Sequence, residues 1–232
     1  MMDLFLLIGQ SNMAGRGALT KKDLSEASDE RIQVLNQNGE WQAAQEPIHF
    51  DKPELVGVGP GLPFAKEVLQ TTNISSIGLI PCAVGGTKIE RWVSTGDLYL
   101  SAIDRCRLAM KEGQLRGILW AQGESDSTNL ADAESYGMRF YSLLADIRKE
   151  LMVPSVPFIA SELGTFIEQD KYPYTGHINS ALKSARYDFP CYEFVSSDGL
   201  QHGGDCLHYD APSARSLGRR MAEAWLRIKE KQ

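Results

Sequence analysis

Short apolar runs alternate with amphipathic stretches from one end of the chain to the other. Three runs, residues 77–81, 117–121 and 157–160, lack the polar and apolar alternation of a half-exposed strand. They therefore suit strands that are buried on both faces of a parallel sheet. The strand candidates are residues 4–8, 32–35, 77–81, 117–121, 157–160 and 193–196.

The stretches between these runs carry apolar residues three and four positions apart, which places them on one stripe of a helix. In the last stretch the stripe consists of Ala214, Leu217, Met221, Trp225 and Ile228. Helices are predicted over residues 62–69, 98–112, 130–151, 175–187 and about 212–229. Asp97, Asn129 and Asp210 stand where N-caps are expected.

Alternating strands and helices predict an α/β fold with a parallel sheet covered on both faces. Right-handed crossovers close it as a doubly wound, three-layer α/β/α sandwich, mostly parallel and five-stranded. The turn signal at residues 36–39 predicts that residues 32–41 form a β-hairpin excursion from this sheet. No linker or repeat divides the chain, so we expect one domain over residues 1–232. The long loop over residues 43–61, rich in proline and glycine, is the candidate for a wall beside a site.

Composition narrows the choice of partner and compartment. The 24 basic and 30 acidic residues give a net charge of −6, which argues against nucleic acid or an anionic membrane surface as a partner. No segment approaches the roughly 20 apolar residues that span a bilayer. The short apolar opening run leads directly into the candidate site, so we expect a cytoplasmic protein; removal of a signal peptide from a longer precursor stays open. The sequence does not indicate an oligomeric state.

The four cysteines are not spaced as a metal site or a disulfide framework. We expect free thiols, with a Cys191–Cys206 pair as the alternative.

The first run ends in Gly9-Gln10-Ser11-Asn12-Met13. A serine at this point lies at the carboxyl edge of the sheet, where open α/β sheets hold their ligands. A helix that begins there directs free N–H groups at an oxyanion. The alternative is that Ser11 only caps the helix.

A candidate base stands near the other end of the chain. In Asp205-Cys206-Leu207-His208 the carboxylate could fix the imidazole while the second ring nitrogen faces the serine. Asp198 with His202 is a competing pair on the same loop. His49 is a candidate for lining the site, and His177 is expected on a helix surface.

Four motifs occur in one order along the chain. They are Gly9-Gln10-Ser11-Asn12-Met13, Gly85-Gly86-Thr87, Trp120-Ala121-Gln122-Gly123-Glu124-Ser125-Asp126 and Asp205-Cys206-Leu207-His208. This order resembles the SGNH-hydrolase superfamily, and within it the carbohydrate esterases of family six and the sialic-acid-specific acetylesterases. The resemblance implies a flavodoxin-like fold and a serine esterase that hydrolyses O-acetyl esters of carbohydrates without a cofactor.

The resemblance also assigns roles to individual residues. Ser11 would be the nucleophile, His208 the general base and Asp205 the residue that orients His208. The oxyanion donors would be the N–H of Ser11, the N–H of Gly85 (or else Gly86) and the side-chain amide of Gln122. Most members of the superfamily carry an asparagine as the side-chain donor, whereas the acetylesterase branch carries glutamine.

Further residues near these motifs are candidates for substrate contact or for support of the site. Arg16 could touch substrate hydroxyls or pair with Glu124 or Asp126. The two carboxylates are expected to hold the Gln122 loop; metal binding is the alternative, and no metal is predicted, because no histidine or cysteine stands beside them at ligand spacing. Trp92 could stack on a sugar ring or belong to the core.

The predicted function is hydrolysis of acetyl esters of a saccharide, with acetyl xylan as the default substrate. Sialate O-acetyl esters and a broader acyl-esterase or thioesterase activity are the alternatives of the same class. A carbohydrate-binding protein without catalysis is the alternative of another class.

Overall fold

The first strand of the chain lies at the centre of one sheet, and the other strands are added on both sides of it. The computed structural model describes residues 1–25 and 28–231. The strands are β1 (Met2–Gly9), β2 (Ile32–Leu35), β3 (Trp41–Ala43), β4 (Ile77–Pro81), β5 (Gly113–Ala121), β6 (Phe158–Ser161) and β7 (Tyr192–Val195). Their order across the sheet is β3-β2-β4-β1-β5-β6-β7, and β3 alone pairs in the antiparallel sense.

Seven helices lie in the connections of the described residues, and the last five of them along the chain stand where the sequence predicts a helix. They are α1 (Ser11–Ala14), α2 (Lys21–Ser25), α3 (Gly61–Thr71), α4 (Asp97–Ala109), α5 (Leu130–Glu150), α6 (Thr175–Asp188) and α7 (Ala211–Lys229). Short 3-10 turns lie at Ile89–Trp92 and Glu124–Asp126. The five predicted helices are therefore confirmed, with ends displaced by three residues at most.

Side chains of β1 alternate between two apolar layers. Leu4, Leu6 and Ile8 pack into a core that includes residues of α4, α5 and α6, whereas Phe5 and Leu7 pack into a core that includes residues of α3 and α7. Successive side chains of a strand point to opposite faces, so one buried strand contributes to both layers. The predicted three-layer sandwich is confirmed.

The predicted strand count is wrong. The sheet has seven strands rather than five, because the expected hairpin excursion belongs to it. β2 pairs in parallel with β4, and β3 returns antiparallel along the outer edge of β2. The turn signal predicts the hairpin itself, but it does not show with which other strand the first strand of that hairpin pairs.

Two of the three predicted caps are confirmed. The side chain of Asn129 accepts from the N–H of Asp132, and that of Asp210 accepts from the N–H of Ser213. The prediction for Asp97 is wrong, since Gly96 holds the N-cap position of α4 and Asp97 pairs with Arg91 instead.

The four cysteines, all within the described residues, form no disulfide, so the alternative of a Cys191–Cys206 pair is wrong. None of the helices in the described ranges combines the length and the apolar composition that crossing a bilayer requires.

The topology gives the carboxyl end of β1 its particular position. The chain leaves β1 toward β2, whereas the connections after β4 and β5 lead toward β5 and β6 on the other side. Adjacent connections that diverge in this way open a crevice at the carboxyl edge of the sheet. The loops that follow β1, β4, β5 and β7 meet at this crevice.

Candidate active site

Gly9 allows the ends of β1 and β5 to approach closely enough for Ser11 to be presented at the crevice. Its φ is +126°, and a Cβ there would lie 2.2 Å from the carbonyl oxygen of Ala121. The next residue, Gln10, donates its N–H to that same carbonyl at 2.8 Å. The chain then turns into α1, whose first residue is Ser11.

Ser11, His208 and Asp205 form a continuous hydrogen-bonded chain. The Ser11 hydroxyl lies 2.9 Å from Nε2 of His208, and Nδ1 of His208 lies 2.6 Å from Oδ2 of Asp205. The other Asp205 oxygen accepts the N–H groups of Leu207 and His208. Burial works against the charge of Asp205, but the bonds from the backbone and ring of His208 outweigh it and hold the Asp205 pKa below its usual value. A proton can therefore pass from Ser11 to an imidazole beside a fixed negative charge.

The remaining histidines take no part in this chain. Nδ1 of His202 accepts the N–H groups of Gly204 and Cys206, and its Nε2 lies 3.7 Å from Sγ of Cys206, so neither ring nitrogen pairs with Asp198. His49 is buried with both ring nitrogens unpartnered and does not line the cavity at Ser11, which contradicts the prediction for it. His177 is exposed, as expected for a helix surface.

The loop after β4 brings Gly85 against Ser11. A Cβ on Gly85 would lie 2.4 Å from Nη2 of Arg16 and 3.4 Å from Cβ of Ser11, so a side chain would displace its neighbours. The Gly85 N–H donates to Asp51 at 2.8 Å, and Asp51 also forms a buried ion pair with Arg16 at 2.7 Å. The choice of Gly85 as oxyanion donor is therefore contradicted, since its N–H already has a partner.

Gln122 is fully buried behind the crevice. Its amide nitrogen donates to the carbonyl of Thr87 at 2.8 Å and to Asp126 at 2.5 Å, which occupies both amide hydrogens. The structure thus contradicts the prediction that Gln122 donates to an oxyanion. Its side chain instead ties the loop after β4 to the loop after β5.

Asp126 links the same two loops through its hydrogen bonds, as predicted for a carboxylate that holds the Gln122 loop. It accepts from Gln122 and from the N–H of Ile89. Burial raises the pKa of Asp126 to about 6. Glu124 holds neither Arg16 nor Gln122; it accepts from the side chain of Asn12.

Of the two roles open to Trp92, the structure shows the core one, and Trp92 does not line the cavity at Ser11. It is 0% exposed and packs edge-on against Trp120, with 5.6 Å between ring centroids. Its ring nitrogen donates to the hydroxyl of Thr87.

A cavity of about 200 Å³ opens above Ser11 and His208. Arg16, Gly85, Gly86 and Glu124 line it, as the sequence indicates for residues near the four motifs. The predicted wall is present, because Lys52 and Leu55 of the long loop also line the cavity.

Sequence reasoning assigned no role to four lining residues, Gln10, Ser125, Tyr172 and Leu207. Gln10 could have been found from its place beside Ser11 at the end of a central strand. Tyr172 lies outside all four motifs, and no sequence signal marks it.

Comparisons with known proteins agree with this architecture. The family model described as carbohydrate esterase, sialic acid-specific acetylesterase matches residues 1–227. A probable carbohydrate esterase of Arabidopsis thaliana, At4g34215, is 34% identical over 243 residues, which cover 96% of this chain and 90% of that protein. The X-ray structure of the Arabidopsis thaliana protein At4g34215 matches with a TM-score of 0.84 at 32% identity, covering 97% of this chain and 98% of that one.

Two more distant structures share the fold. The crystal structure of NanS matches with a TM-score of 0.82 at 17% identity, over 100% of this chain and 98% of that one. A carbohydrate acetylesterase from Xanthomonas citri, XAC1771, matches with a TM-score of 0.74 at 20% identity, over 99% of this chain and 57% of that one. From the family match and the Arabidopsis relative we conclude that the chain belongs to the sialic acid-specific acetylesterase family of carbohydrate esterases, and is a carboxylic ester hydrolase.

Proposed function

We propose that the protein removes O-acetyl groups from carbohydrate hydroxyls through an acyl-enzyme on Ser11. The observation that carries this proposal is the chain of contacts from Ser11 through His208 to Asp205, at 2.9 and 2.6 Å. The Ser11 oxygen attacks the acetyl carbonyl while His208 takes its proton, and His208 returns that proton to the leaving sugar oxygen. Water, deprotonated by the same imidazole, then attacks the acetyl carbonyl; the bond to the Ser11 oxygen breaks, and His208 returns the proton to that oxygen as acetate leaves.

The oxyanion would be held by N–H groups that remain free at the crevice. The N–H of Gly86 has no hydrogen-bond partner among the described residues, in contrast to that of Gly85. The Gln10 side chain lines the cavity, and no described residue accepts from its amide nitrogen. With the N–H of Ser11 they make a set of three donors that replaces the one predicted from the motifs.

The size of the cavity supports a short acyl group. Its volume of about 200 Å³ lies below the roughly 300–1,000 Å³ of sites that enclose drug-sized ligands. An acetyl group fits such a space, whereas a long acyl chain would have to lie outside it.

The decisive experiment measures p-nitrophenyl acetate hydrolysis by wild type, Ser11→Ala and His208→Ala. Each replacement should lower kcat by at least about 10³-fold with the fold retained, since the nucleophile or its base is lost. A carbohydrate-binding protein without catalysis would show no turnover in wild type. Full turnover in Ser11→Ala would exclude the serine mechanism, and equal rates on butyrate and longer esters would favour a broader acyl-esterase.

The sugar is a separate question with two candidates. Acetyl xylan is the default, as a neutral acetylated polysaccharide. Sialate esters are favoured by one observation: the Lys52 side chain lines the cavity, and no described carboxylate pairs with it. An unpaired ammonium beside Gly86 could attract the carboxylate of an acidic sugar.

Acetate release from acetylated xylo-oligosaccharides and from O-acetylated sialic acid, compared for wild type and Lys52→Met, separates the candidates. A role in binding an acidic sugar predicts a rise of about tenfold in KM for the sialate ester alone. Lys111→Met, at an exposed lysine after α4, is the matched control. An equal effect on both substrates would leave acetyl xylan as the proposal.

A further inference from the structure

We infer that Asn12 is a positioning residue that fixes His208 against Ser11, and that the buried Glu124 holds Asn12 in place for this task. The inference rests on the proposed serine mechanism. It assigns a function to the residue that follows the nucleophile, and to a carboxylate that the oxyanion hole and the Gln122 tie do not use.

Asn12 contacts both neighbours of His208. Its amide nitrogen donates to the carbonyl of Leu207 at 3.2 Å, and its amide oxygen accepts the N–H of Tyr209 at 3.2 Å. The backbone is therefore held on either side of His208 by one side chain. Those two bonds span 195 and 197 positions of sequence, so local structure does not provide them.

The second hydrogen of the Asn12 amide goes to Glu124, whose Oε1 lies 2.5 Å from Nδ2. This contact fixes the orientation of the amide. Only the oxygen can accept from Tyr209, and only the nitrogen can donate to Glu124 and Leu207. A rotated amide would lose all three bonds.

Glu124 is itself immobilised. Its side chain is buried, and its carbonyl accepts the N–H and the hydroxyl of Ser127 within the turn after β5. The second carboxyl oxygen, Oε2, is buried with no partner among the described residues. An unpartnered buried oxygen is costly, so stability of the fold alone does not account for a carboxylate at this place.

Asn12, held by Glu124 and bonded to the backbone on either side of His208, forms a clamp on the His208 segment. The place of Asn12 in the chain explains how this clamp acts. Asn12 and Ser11 are adjacent on α1, so any small displacement of that turn moves the nucleophile and the clamp together. The distance between Ser11 and His208 is therefore set by the hydrogen bonds of Asn12, and not by the conformation of the long loop that carries His208. A displacement of about 1 Å in a reacting group can cost about 10²-fold in rate.

The test compares Asn12→Ala, Glu124→Ala and Glu124→Gln in p-nitrophenyl acetate hydrolysis. Asn12→Ala should lower kcat by about 10 to 100-fold and change KM by less than about twofold, because Asn12 itself does not line the cavity. Glu124→Ala should resemble it. Glu124→Gln keeps an oxygen that can accept from Asn12, so it should retain kcat within about threefold.

Asn179→Ala is the matched control, since the Asn179 side chain accepts the N–H of Leu163 in the loop after β6 and does not touch the His208 segment. It removes a comparable bond and should leave kcat unchanged. A second readout is the low-field NMR signal of the proton between His208 and Asp205. That signal should shift or broaden in Asn12→Ala and persist in Glu124→Gln and Asn179→Ala.

The outcomes separate the inference from the mechanism on which it rests. If wild-type turnover does not depend on Ser11, the proposed function fails. If turnover depends on Ser11 while Asn12→Ala keeps its kcat and its NMR signal, the clamp alone is excluded. If Asn12→Ala does not fold, the two Glu124 variants decide, and equal kcat in Glu124→Ala and Glu124→Gln would contradict the inference.

Discussion

At the scale of single residues, the glutamine that lines the cavity is Gln10, whereas the motifs assign an oxyanion donor at Gln122. Gln122 donates its two amide hydrogens to the Thr87 carbonyl and to Asp126, whereas the side chain of Gln10 lines the cavity. We predict that Gln122→Ala lowers the free energy of unfolding by about 1–3 kcal/mol, since the Thr87 carbonyl loses its side-chain donor and the buried Asp126 loses one of its two donors. Gln10→Ala should instead lower kcat by about 10²-fold with little change in stability. Urea unfolding and esterase kinetics on both variants check this.

The reverse result would restore the motif-based assignment. A loss of 10²-fold or more in kcat for Gln122→Ala, at unchanged stability, would mean that its amide turns toward the substrate during the reaction. The sequence could not settle this point, because Gln122 follows β5 at the carboxyl edge in either case. The role of Gln122 depends on the Thr87 carbonyl lying next to its side chain in the folded protein. The spacing of the two residues in the sequence does not reveal that contact. The choice between a core role and a sugar-stacking role for Trp92 also depends on contacts that the sequence does not show.

At the scale of elements, α7 begins directly behind the segment that carries His208. Its cap, Asp210, accepts the N–H of Ser213 at 2.8 Å, and the Asp210 N–H donates to Gln201 at 3.1 Å. Asp210→Ala should therefore lower the free energy of unfolding by about 1 kcal/mol. Asp97→Ala, which removes an exposed partner of Arg91 and no cap, should cost less. Thermal or urea unfolding of the two variants compares them, and an equal loss would contradict the cap assignment.

Elements were also the scale at which sequence reasoning worked best. The stripes that predict α5, α6 and α7 span three or more turns, and an apolar stripe of that length must be buried whatever surrounds it. Short edge strands lack this constraint. The three residues of β3 are partly or fully exposed, so their pairing depends on β2 rather than on burial of their own side chains.

At the scale of the whole molecule, the order of the motifs and of the buried strands was enough to predict that Ser11 and His208 lie close together. Both lie beyond carboxyl ends of strands in one parallel sheet, which places them at the same edge. The number of strands was not predictable in this way, since a sheet can be extended at an edge without altering its centre.

The pH dependence of global stability provides a last test, through Glu46. This carboxyl group is buried with both oxygens unpartnered, and burial raises its pKa from 4.5 to about 8. Between these two pH values the native state keeps a proton that the unfolded chain has released. The contribution of Glu46 to stability is thus fully present below pH 4.5 and is lost as the pH rises through about 8.

Glu46→Gln removes this titration while preserving the shape of the side chain. The free energy of unfolding of the variant, relative to wild type, should rise by up to about 1.4 kcal/mol per pH unit between pH 5 and pH 8. Urea unfolding at four pH values measures the difference, in which the titration of all other groups cancels. Glu134→Gln, at an exposed position, reports the effect of removing a surface charge. If the Glu46→Gln and wild-type curves run parallel over this range, the carboxylate must be solvated or paired in the folded protein, which would contradict its burial without a partner.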